Sequence, residues 1–127
     1  MRNILIVCAC AALAAAAFAG CKKGIAVECN TKMRDVAVQN KDLGASFTVS
    51  CPADCQGGSI WGTDTYTTDS SVCMAGIHAG VITREKGGAV KVTVVKSLEA
   101  YTGSERNGVT TSNWGTSWGD TAFQVSK

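Results

Sequence analysis

The chain has 127 residues, a length typical of one domain. Twelve Lys and Arg against ten Asp and Glu give a formal net charge of +2, which excludes the strongly basic field of a nucleic-acid-binding protein. The one histidine and the scattered carboxylates show no nucleophile–base or metal-ligand spacing, so we predict no enzyme activity, no metal and no cofactor.

The N-terminus predicts a secretory signal over residues 1–20. Arg2 supplies a short positive start, and the 16 residues from Ile4 to Ala19 are all apolar or small. A helix needs about 20 such residues to cross a bilayer. We therefore favour a cleaved signal over an uncleaved membrane anchor.

Two cleavage sites compete at the end of this signal. Ala17-Phe18-Ala19 fits the A-x-A pattern and would leave Gly20 as the first residue. Phe18-Ala19-Gly20-Cys21 instead resembles a bacterial lipobox, in which the Cys becomes the lipidated first residue. Phe18 departs from that pattern, since Leu is usual at its position.

Cysteine counting favours lipidation of Cys21. The chain has seven Cys, of which Cys8 and Cys10 leave with the signal. Four of the remaining five can form two disulfides in an oxidising compartment, and a lipid would occupy the sulfur of the fifth. The alternative is that Cys21 is a free or intermolecular thiol.

The exported chain then consists of a short tether and one domain. Residues 21–24 hold the lipidated Cys and the tether, and residues 25–127 form the domain. Lys22 follows Cys21, where lipoproteins retained at the inner membrane typically have Asp. We predict an anchor in the outer membrane; without the lipid, the protein would be periplasmic or secreted and soluble.

Most of the domain has the pattern of short strands. Runs rich in Val, Ile, Thr and aromatic residues alternate with Gly, Asn, Asp and Ser, which are typical of turns. Asn107-Gly108 predicts a tight hairpin turn, because both residues tolerate positive φ. The predicted strands are 25–29, 33–38, 46–51, 59–66, 89–95, 109–112 and 121–125.

One helix interrupts the strands, from Ser71 to Ile82. Possible N-cap oxygens precede it, and its apolar residues cover nearly the whole surface, so we expect a buried helix. Gly76 and Gly80 each lower helix propensity by about 1 kcal/mol relative to Ala, which predicts a close approach of neighbouring backbone. One buried helix among short strands is an α+β fold.

From Cys29 to Val125 the sequence resembles the LCCL domain, the module of clotting factor C and cochlin. Several motifs of that family occur in order at similar spacings. Gly76 departs from the pattern, since the family usually has a second Ala there. The motifs are Cys51–Cys55, Ile60–Tyr66, Asp69–Ile82, Gly87–Val90, Tyr101–Ser104 and Arg106–Val109, with Phe123 near the end.

The resemblance implies a central buried helix wrapped by two small β-sheets. Four Cys allow three disulfide pairings, and the family pattern implies Cys29–Cys51 and Cys55–Cys73. The second bridge would tie the turn after Pro52 to the buried helix. The family motif further implies structural roles for Tyr66, Ser71, His78, Gly80, Gly88, Tyr101, Asn107 and Gly108.

His78 is the obvious residue to test for catalysis. Ser70 and Ser71 precede it by eight and seven residues, about 10–12 Å along a helix at ~1.5 Å per residue, which is beyond hydrogen-bond reach. We therefore expect His78 to pack inside the domain and to hydrogen-bond a backbone carbonyl.

The tryptophans are the best candidates for ligand contact. We expect Trp61 to pack in the core, whereas Trp114 and Trp118 lie among Gly, Ser and Thr and could form a surface platform for a sugar or a lipid headgroup.

Two functions follow. The first is a non-catalytic binding or adhesion module, anchored to the membrane by lipid, whose ligand is an envelope polysaccharide, a protein or lipopolysaccharide. The last of these is suggested by the family's occurrence in an endotoxin-responsive clotting factor. The alternative is a structural envelope lipoprotein without a small ligand. Exposure of Trp114 and Trp118 would favour the first function, and full burial the second.

Overall fold

The structure is a computed structural model that describes residues 24–127. The predicted signal, the predicted lipidation site Cys21 and most of the predicted tether therefore lie outside the described residues. Within residues 24–127, no helix has the length and apolar character needed to cross a membrane.

Two β-sheets and one helix make up the domain. In chain order the elements are β1 (Ile25–Ala26), a 3₁₀ helix (Met33–Asp35), β2 (Ser46–Cys51), β3 (Gly62–Thr63), β4 (Thr65–Thr67), α1 (Val72–His78), β5 (Gly88–Lys96), β6 (Glu105–Arg106), β7 (Val109–Thr110) and β8 (Thr121–Ser126). The larger sheet has six strands in the order β1-β2-β5-β8-β4-β3, of which β1 and β2 are parallel and the other neighbours antiparallel; β6 and β7 form a separate hairpin.

The core lies between α1 and one face of the six-stranded sheet. Every residue of α1 is buried, and the helix packs against β5, β7 and β8. Along β5, Val90, Val92 and Val94 are buried and alternate with more exposed residues, as expected when one face of a strand is covered. Phe123 of β8 pairs with Val94 and is fully buried. The predicted α+β fold, with one buried helix and two sheets, is confirmed.

The prediction of a strand over residues 33–38 is wrong. Met33 and Val36 are buried while Arg34 and Asp35 are exposed, a spacing of three residues that matches one 3₁₀ turn. The backbone N–H groups of Met33 and Arg34 donate to the carbonyls of Ser70 and Thr68. Because these donors bind the segment before α1, they are not available to a sheet.

The helix is shorter than predicted. Ser71 is its N-cap, and the Ser71 hydroxyl accepts a hydrogen bond from the Met74 N–H at 3.2 Å. The helix ends at His78 instead of continuing to Ile82, because Gly80 has φ +82° and redirects the chain.

The expectation of close backbone approach at the two helix glycines is also wrong. A Cβ on Gly76 would meet a side chain, Val90 Cγ2, at 2.9 Å. A Cβ on Gly80 would meet only Asn107 Nδ2, at 3.5 Å. Gly80 is thus needed for its left-handed conformation, whereas Gly76 leaves room for the packed valine.

The two disulfides differ from the predicted pairs. The bridges are Cys29–Cys55 and Cys51–Cys73, with Cα atoms 5.3 and 5.7 Å apart, and not Cys29–Cys51 and Cys55–Cys73. Cys51 is the last residue of β2 and lies beside α1, so it pairs with Cys73 of the first helical turn. The intervening turn, in which Asp54 has φ +61°, directs Cys55 toward Cys29 instead.

Candidate binding site

The three tryptophans line one cleft of about 120 Å³. Trp114 and Trp118 meet edge to face, with ring centroids 5.3 Å apart and an interplanar angle of 88°. Trp61 and Trp114 lie 6.5 Å apart at 75°. The indoles thus form steeply inclined walls, and Thr67 and Asp69 complete the lining.

The cleft is open to solvent. Trp114 is 36% exposed, and Trp61 and Trp118 are only partly buried. The expected surface position of Trp114 therefore agrees with the structure, and Trp118 shares the cleft with it. Trp61 differs from the expectation of a core side chain, since it forms a wall of this cleft. Its position in a strand-like run gave no signal for that role.

Backbone hydrogen bonds hold the tryptophan segments from both sides. The N–H of Trp61 donates to Ser70 Oγ at 2.9 Å, beside a bridge between Trp61 and Ser112. Trp114 and Tyr101 exchange two backbone hydrogen bonds, of 2.9 and 2.7 Å. The walls contributed by Trp61 and Trp114 are therefore fixed by the fold, although Trp114 stands in a glycine-rich segment.

Asp69 connects the cleft to two cations. Its Oδ1 lies 3.0 Å from Lys32 Nζ and 3.2 Å from Arg34 Nη2. This oxygen is buried, and its contacts have the geometry of ion pairs rather than of aligned hydrogen bonds. The Lys32 and Arg34 side chains are 35% and 51% exposed, so both cations also face solvent. Asp69, which lines the cleft, thus links it to a charged cluster with Lys32 and Arg34, neither of which lines the cleft itself.

His78 is fully buried, as predicted, and the two ring nitrogens each lie within hydrogen-bond distance of a side-chain hydroxyl. Its Nδ1 lies 2.9 Å from the Tyr66 hydroxyl, and its Nε2 lies 3.1 Å from Ser104 Oγ. Ser104 Oγ is in turn 2.6 Å from Thr63 Oγ1, which donates to the Thr102 carbonyl. Sequence reasoning missed Ser104, because it lies 26 residues from His78 in the chain.

The partners assign the tautomer of His78. Thr63 Oγ1 gives its one proton to the Thr102 carbonyl, so Ser104 Oγ donates to Thr63 Oγ1 and can only accept from His78, which leaves Nδ1 to accept from the Tyr66 hydroxyl. Nε2–H then donates to Ser104. Because Nε2 carries the proton, it has no lone pair facing Ser104 and does not activate this serine as a nucleophile. Burial lowers the pKa of His78 below 6.5 and raises the pKa of Tyr66 to about 12.

The remaining motif residues have structural roles. The Asn107–Gly108 hairpin turn is present, with φ of +53° and +77°, and Asn107 Nδ2 donates to the His78 carbonyl at 3.0 Å. Tyr101 is buried, and its hydroxyl accepts from the Leu98 N–H. Ser71 caps α1, and Gly88 has φ +134° at the start of β5.

Fold and site together define a disulfide-bridged α+β module with a tryptophan-lined surface cleft and a buried polar network around its single histidine. The model of the LCCL domain matches residues 27–121. The chain belongs to the LCCL domain family, which is a family of non-catalytic modules.

Known relatives match this domain over a small part of their own length. Human cysteine-rich secretory protein LCCL domain-containing 2 is 34% identical over 104 residues, covering 78% of this chain and 21% of the relative. Clotting factor C of Tachypleus tridentatus is 39% identical over 85 residues, covering 65% of this chain and 8% of the relative. Human vitrin is 42% identical over 71 residues, covering 54% of this chain and 10% of the relative. The chain thus spans about a fifth or less of these proteins.

Proposed function

We propose that this protein is a non-catalytic binding or adhesion module of the bacterial cell envelope, held at the membrane by a lipid on Cys21. Its ligand is an envelope polysaccharide or lipopolysaccharide, which contacts the cleft formed by Trp61, Trp114 and Trp118. The observation that carries the proposal is the cleft itself, because three indoles border one solvent-open space.

Tryptophan suits this role because it combines a large apolar face with a polar N–H. A sugar ring can lay its C–H face on an indole and keep its hydroxyls in water. Complete burial of a large apolar side chain contributes about 1.5–3 kcal/mol, and Trp114, which is 36% exposed, forgoes about a third of this, so a purely structural domain would gain stability by covering it. The partial exposure of this cleft therefore favours ligand contact over a spacer role.

The position of the cleft fits an anchored module. β1, the strand nearest to Cys21 in the chain, forms one edge of the six-stranded sheet, and β3, which follows Trp61, forms the other. Five strand spacings of about 4.8 Å separate these edges, or about 24 Å. A lipid on Cys21 would hold the first edge at the membrane and leave the second free for an envelope polymer.

The test is co-sedimentation of the exported full chain, carrying Cys21→Ser, with purified peptidoglycan and separately with lipopolysaccharide. We expect saturable binding to at least one of them, and loss of about tenfold or more in affinity in a Trp114→Ala, Trp118→Ala double variant. Leu43→Ala is the matched control, because Leu43 is 60% exposed but does not line the cleft.

Circular dichroism and a thiol assay would verify that each variant is folded and oxidised. Absence of binding to both polymers by the folded protein would contradict the proposal and would favour a structural role or a protein ligand. Equal binding by the double variant would place the contact surface elsewhere.

A further inference from the structure

We infer that the tryptophan cleft selects a sugar bearing an anionic substituent, a carboxylate or a phosphate, with the sugar's apolar face on the indoles and its anionic group at Lys32 and Arg34. The inference rests on the proposed function and assigns the ligand class of the same cleft.

The two cations lie next to the cleft. Asp69 lines the cleft, and its Oδ1 is within 3.2 Å of both Lys32 Nζ and Arg34 Nη2. One carboxylate therefore separates the indole walls from two positive charges. The inference places the anionic substituent past Asp69, at the solvent-exposed side chains of Lys32 and Arg34.

The three charged groups in contact at the edge of the cleft carry a net charge of +1. Lys32 and Arg34 contribute two positive charges, and Asp69 contributes one negative charge. The contacts with Asp69 leave N–H donors of Lys32 and Arg34 unused, since an ammonium group has three N–H donors and a guanidinium group has five. Lys41 adds a third cation nearby, because its Nζ donates to the Arg34 carbonyl at 2.7 Å. An anion would find free charge-assisted donors here.

The same balance argues against a cationic ligand. Aromatic walls can hold a quaternary ammonium group by cation–π attraction, and a buried carboxylate would normally assist. At this site the Asp69 carboxylate is already neutralised by two cations. A bound ammonium would meet net repulsion from this charged cluster, so the cleft is not suited to choline-like groups.

The cations are held in place by the fold. Lys32 forms an isolated β-bridge with Ser71, and the Arg34 N–H donates to the Thr68 carbonyl at 3.0 Å. The 3₁₀ helix that carries Arg34 is thereby attached to the segment just before α1, which also contains Asp69. Less conformational entropy is lost on binding when the backbone of the charged residues is already ordered.

The size of the cleft limits what enters it. A volume of about 120 Å³ corresponds to roughly four water molecules at about 30 Å³ each. It admits one substituent or one edge of a sugar ring, and not a disaccharide. The rest of the ligand would lie across the exposed face of Trp114, with its anionic group toward Asp69 and its two cations.

The test compares pairs of sugars of which one member carries the anionic group and the other is neutral. The probes are oligogalacturonate and its methyl ester, for a carboxylate, and phosphorylated dextran and dextran, for a phosphate. Binding to the full chain carrying Cys21→Ser is measured by tryptophan fluorescence at low and at physiological salt. We expect one acidic probe or both to bind about tenfold more tightly than the neutral partner at low salt, with the difference shrinking as salt rises.

A Lys32→Gln, Arg34→Gln double variant should lose this preference while still binding the neutral probes. Lys86→Gln, Lys91→Gln is the matched control, because both lysines are exposed and neither lines the cleft. Lys32→Arg should retain the preference, since it keeps the charge.

The outcomes separate the inference from the proposed function. If acidic and neutral probes bind equally and both depend on Trp114, sugar binding stands and the anionic selectivity is overturned. If peptidoglycan or lipopolysaccharide is bound but no acidic preference is seen for any pair, the selectivity is likewise overturned. If no probe and neither polymer binds to the folded protein, the proposed function fails as well.

Discussion

His78 is buried in a network that suits its neutral form. Nδ1 accepts from Tyr66, and Nε2–H donates to Ser104, so both ring nitrogens are satisfied without a charge. Protonation would turn Nδ1 into a donor that faces the Tyr66 hydroxyl proton, so the Nδ1–Tyr66 hydrogen bond would be lost unless the hydroxyl turned its proton away. The network therefore opposes an imidazolium by geometry as well as by burial.

This network predicts a loss of stability in mild acid. Burial lowers the pKa of folded His78 below the 6.5 of the unfolded chain, so between these values the unfolded state binds more protons. The contribution of neutral His78 to the free energy of unfolding is complete above pH 6.5. It is lost as the pH falls from 6.5 through the lower pKa of His78 in the folded state. Urea unfolding should give a lower free energy of unfolding at pH 5.5 than at pH 7.5.

The control for that experiment is His78→Gln, which removes the titrating group. This variant should be less stable at both pH values but should show a smaller decrease between them. An unchanged decrease in the variant would mean that carboxylates, and not His78, cause the pH dependence.

For single residues, sequence patterns predicted which side chains are buried better than they predicted which other side chains these contact. The apolar surface of the helix placed His78 in the interior, and the turn residues placed Trp114 at the surface. The partners of His78 come from β4 and from the segment before β6, and no local pattern encodes such contacts. Trp61 was missed for the same reason, since its exposure depends on Trp114, 53 residues further along the chain.

The helix end shows how one element depends on one backbone conformation. Gly80 has φ +82°, and the N–H of Val81 returns to the Gly76 carbonyl at 2.9 Å. Only glycine adopts this conformation without a steric cost. The chain can therefore leave α1 and pass toward β5 within a few residues.

Gly80→Ala should destabilise the domain by about 1–2 kcal/mol, because a left-handed conformation is strained for an L residue. Urea unfolding at pH 7.5 would measure the loss. Gly57→Ala is the matched control, since a Cβ there meets nothing within 4 Å and the residue has no positive φ. We expect that control to lie within about 0.5 kcal/mol of the parent. Equal effects of both substitutions would contradict the role assigned to Gly80.

Elements with regular alternation were predictable, and irregular ones were not. The predicted strand over residues 46–51 matches β2, and the strand over 121–125 falls one residue short of β8. The apolar residues of the 33–38 segment instead support a 3₁₀ turn, because the backbone donors of Met33 and Arg34 bind the chain before α1. The predicted disulfide pairs were wrong for a related reason. The path of the turn between Cys51 and Cys55 depends on tertiary packing, which local sequence patterns do not encode.

At the scale of the whole molecule, the predicted tether would limit the distance between the domain and a membrane. Four Cα–Cα steps separate Cys21 from Ile25, where β1 begins, which span at most about 14 Å when fully extended. A lipid on Cys21 would therefore hold the edge of the sheet close to the headgroups.

Membrane fractionation tests this arrangement. The parent chain, expressed in a bacterial host that lipidates proteins, should partition into the detergent phase, and Cys21→Ser should move to the soluble fraction. Mass spectrometry of the N-terminal peptide should show acyl chains on Cys21. Cys8→Ser is the control and should leave partitioning unchanged, because it lies in the predicted signal. A soluble parent protein with unmodified Cys21 would contradict the anchor.

The disulfide between Cys29 and Cys55 has a mechanical consequence for any such tether. A pull on the N-terminus would first act on β1, which pairs with β2 through only two residues. After those pairs separate, the tension reaches Cys29 and passes through a covalent bond to Cys55. Residues 25–28 can therefore extend under load, whereas residues 30–54 lie inside the loop that this disulfide closes and are shielded from tension applied between the N-terminus and the tryptophan cleft.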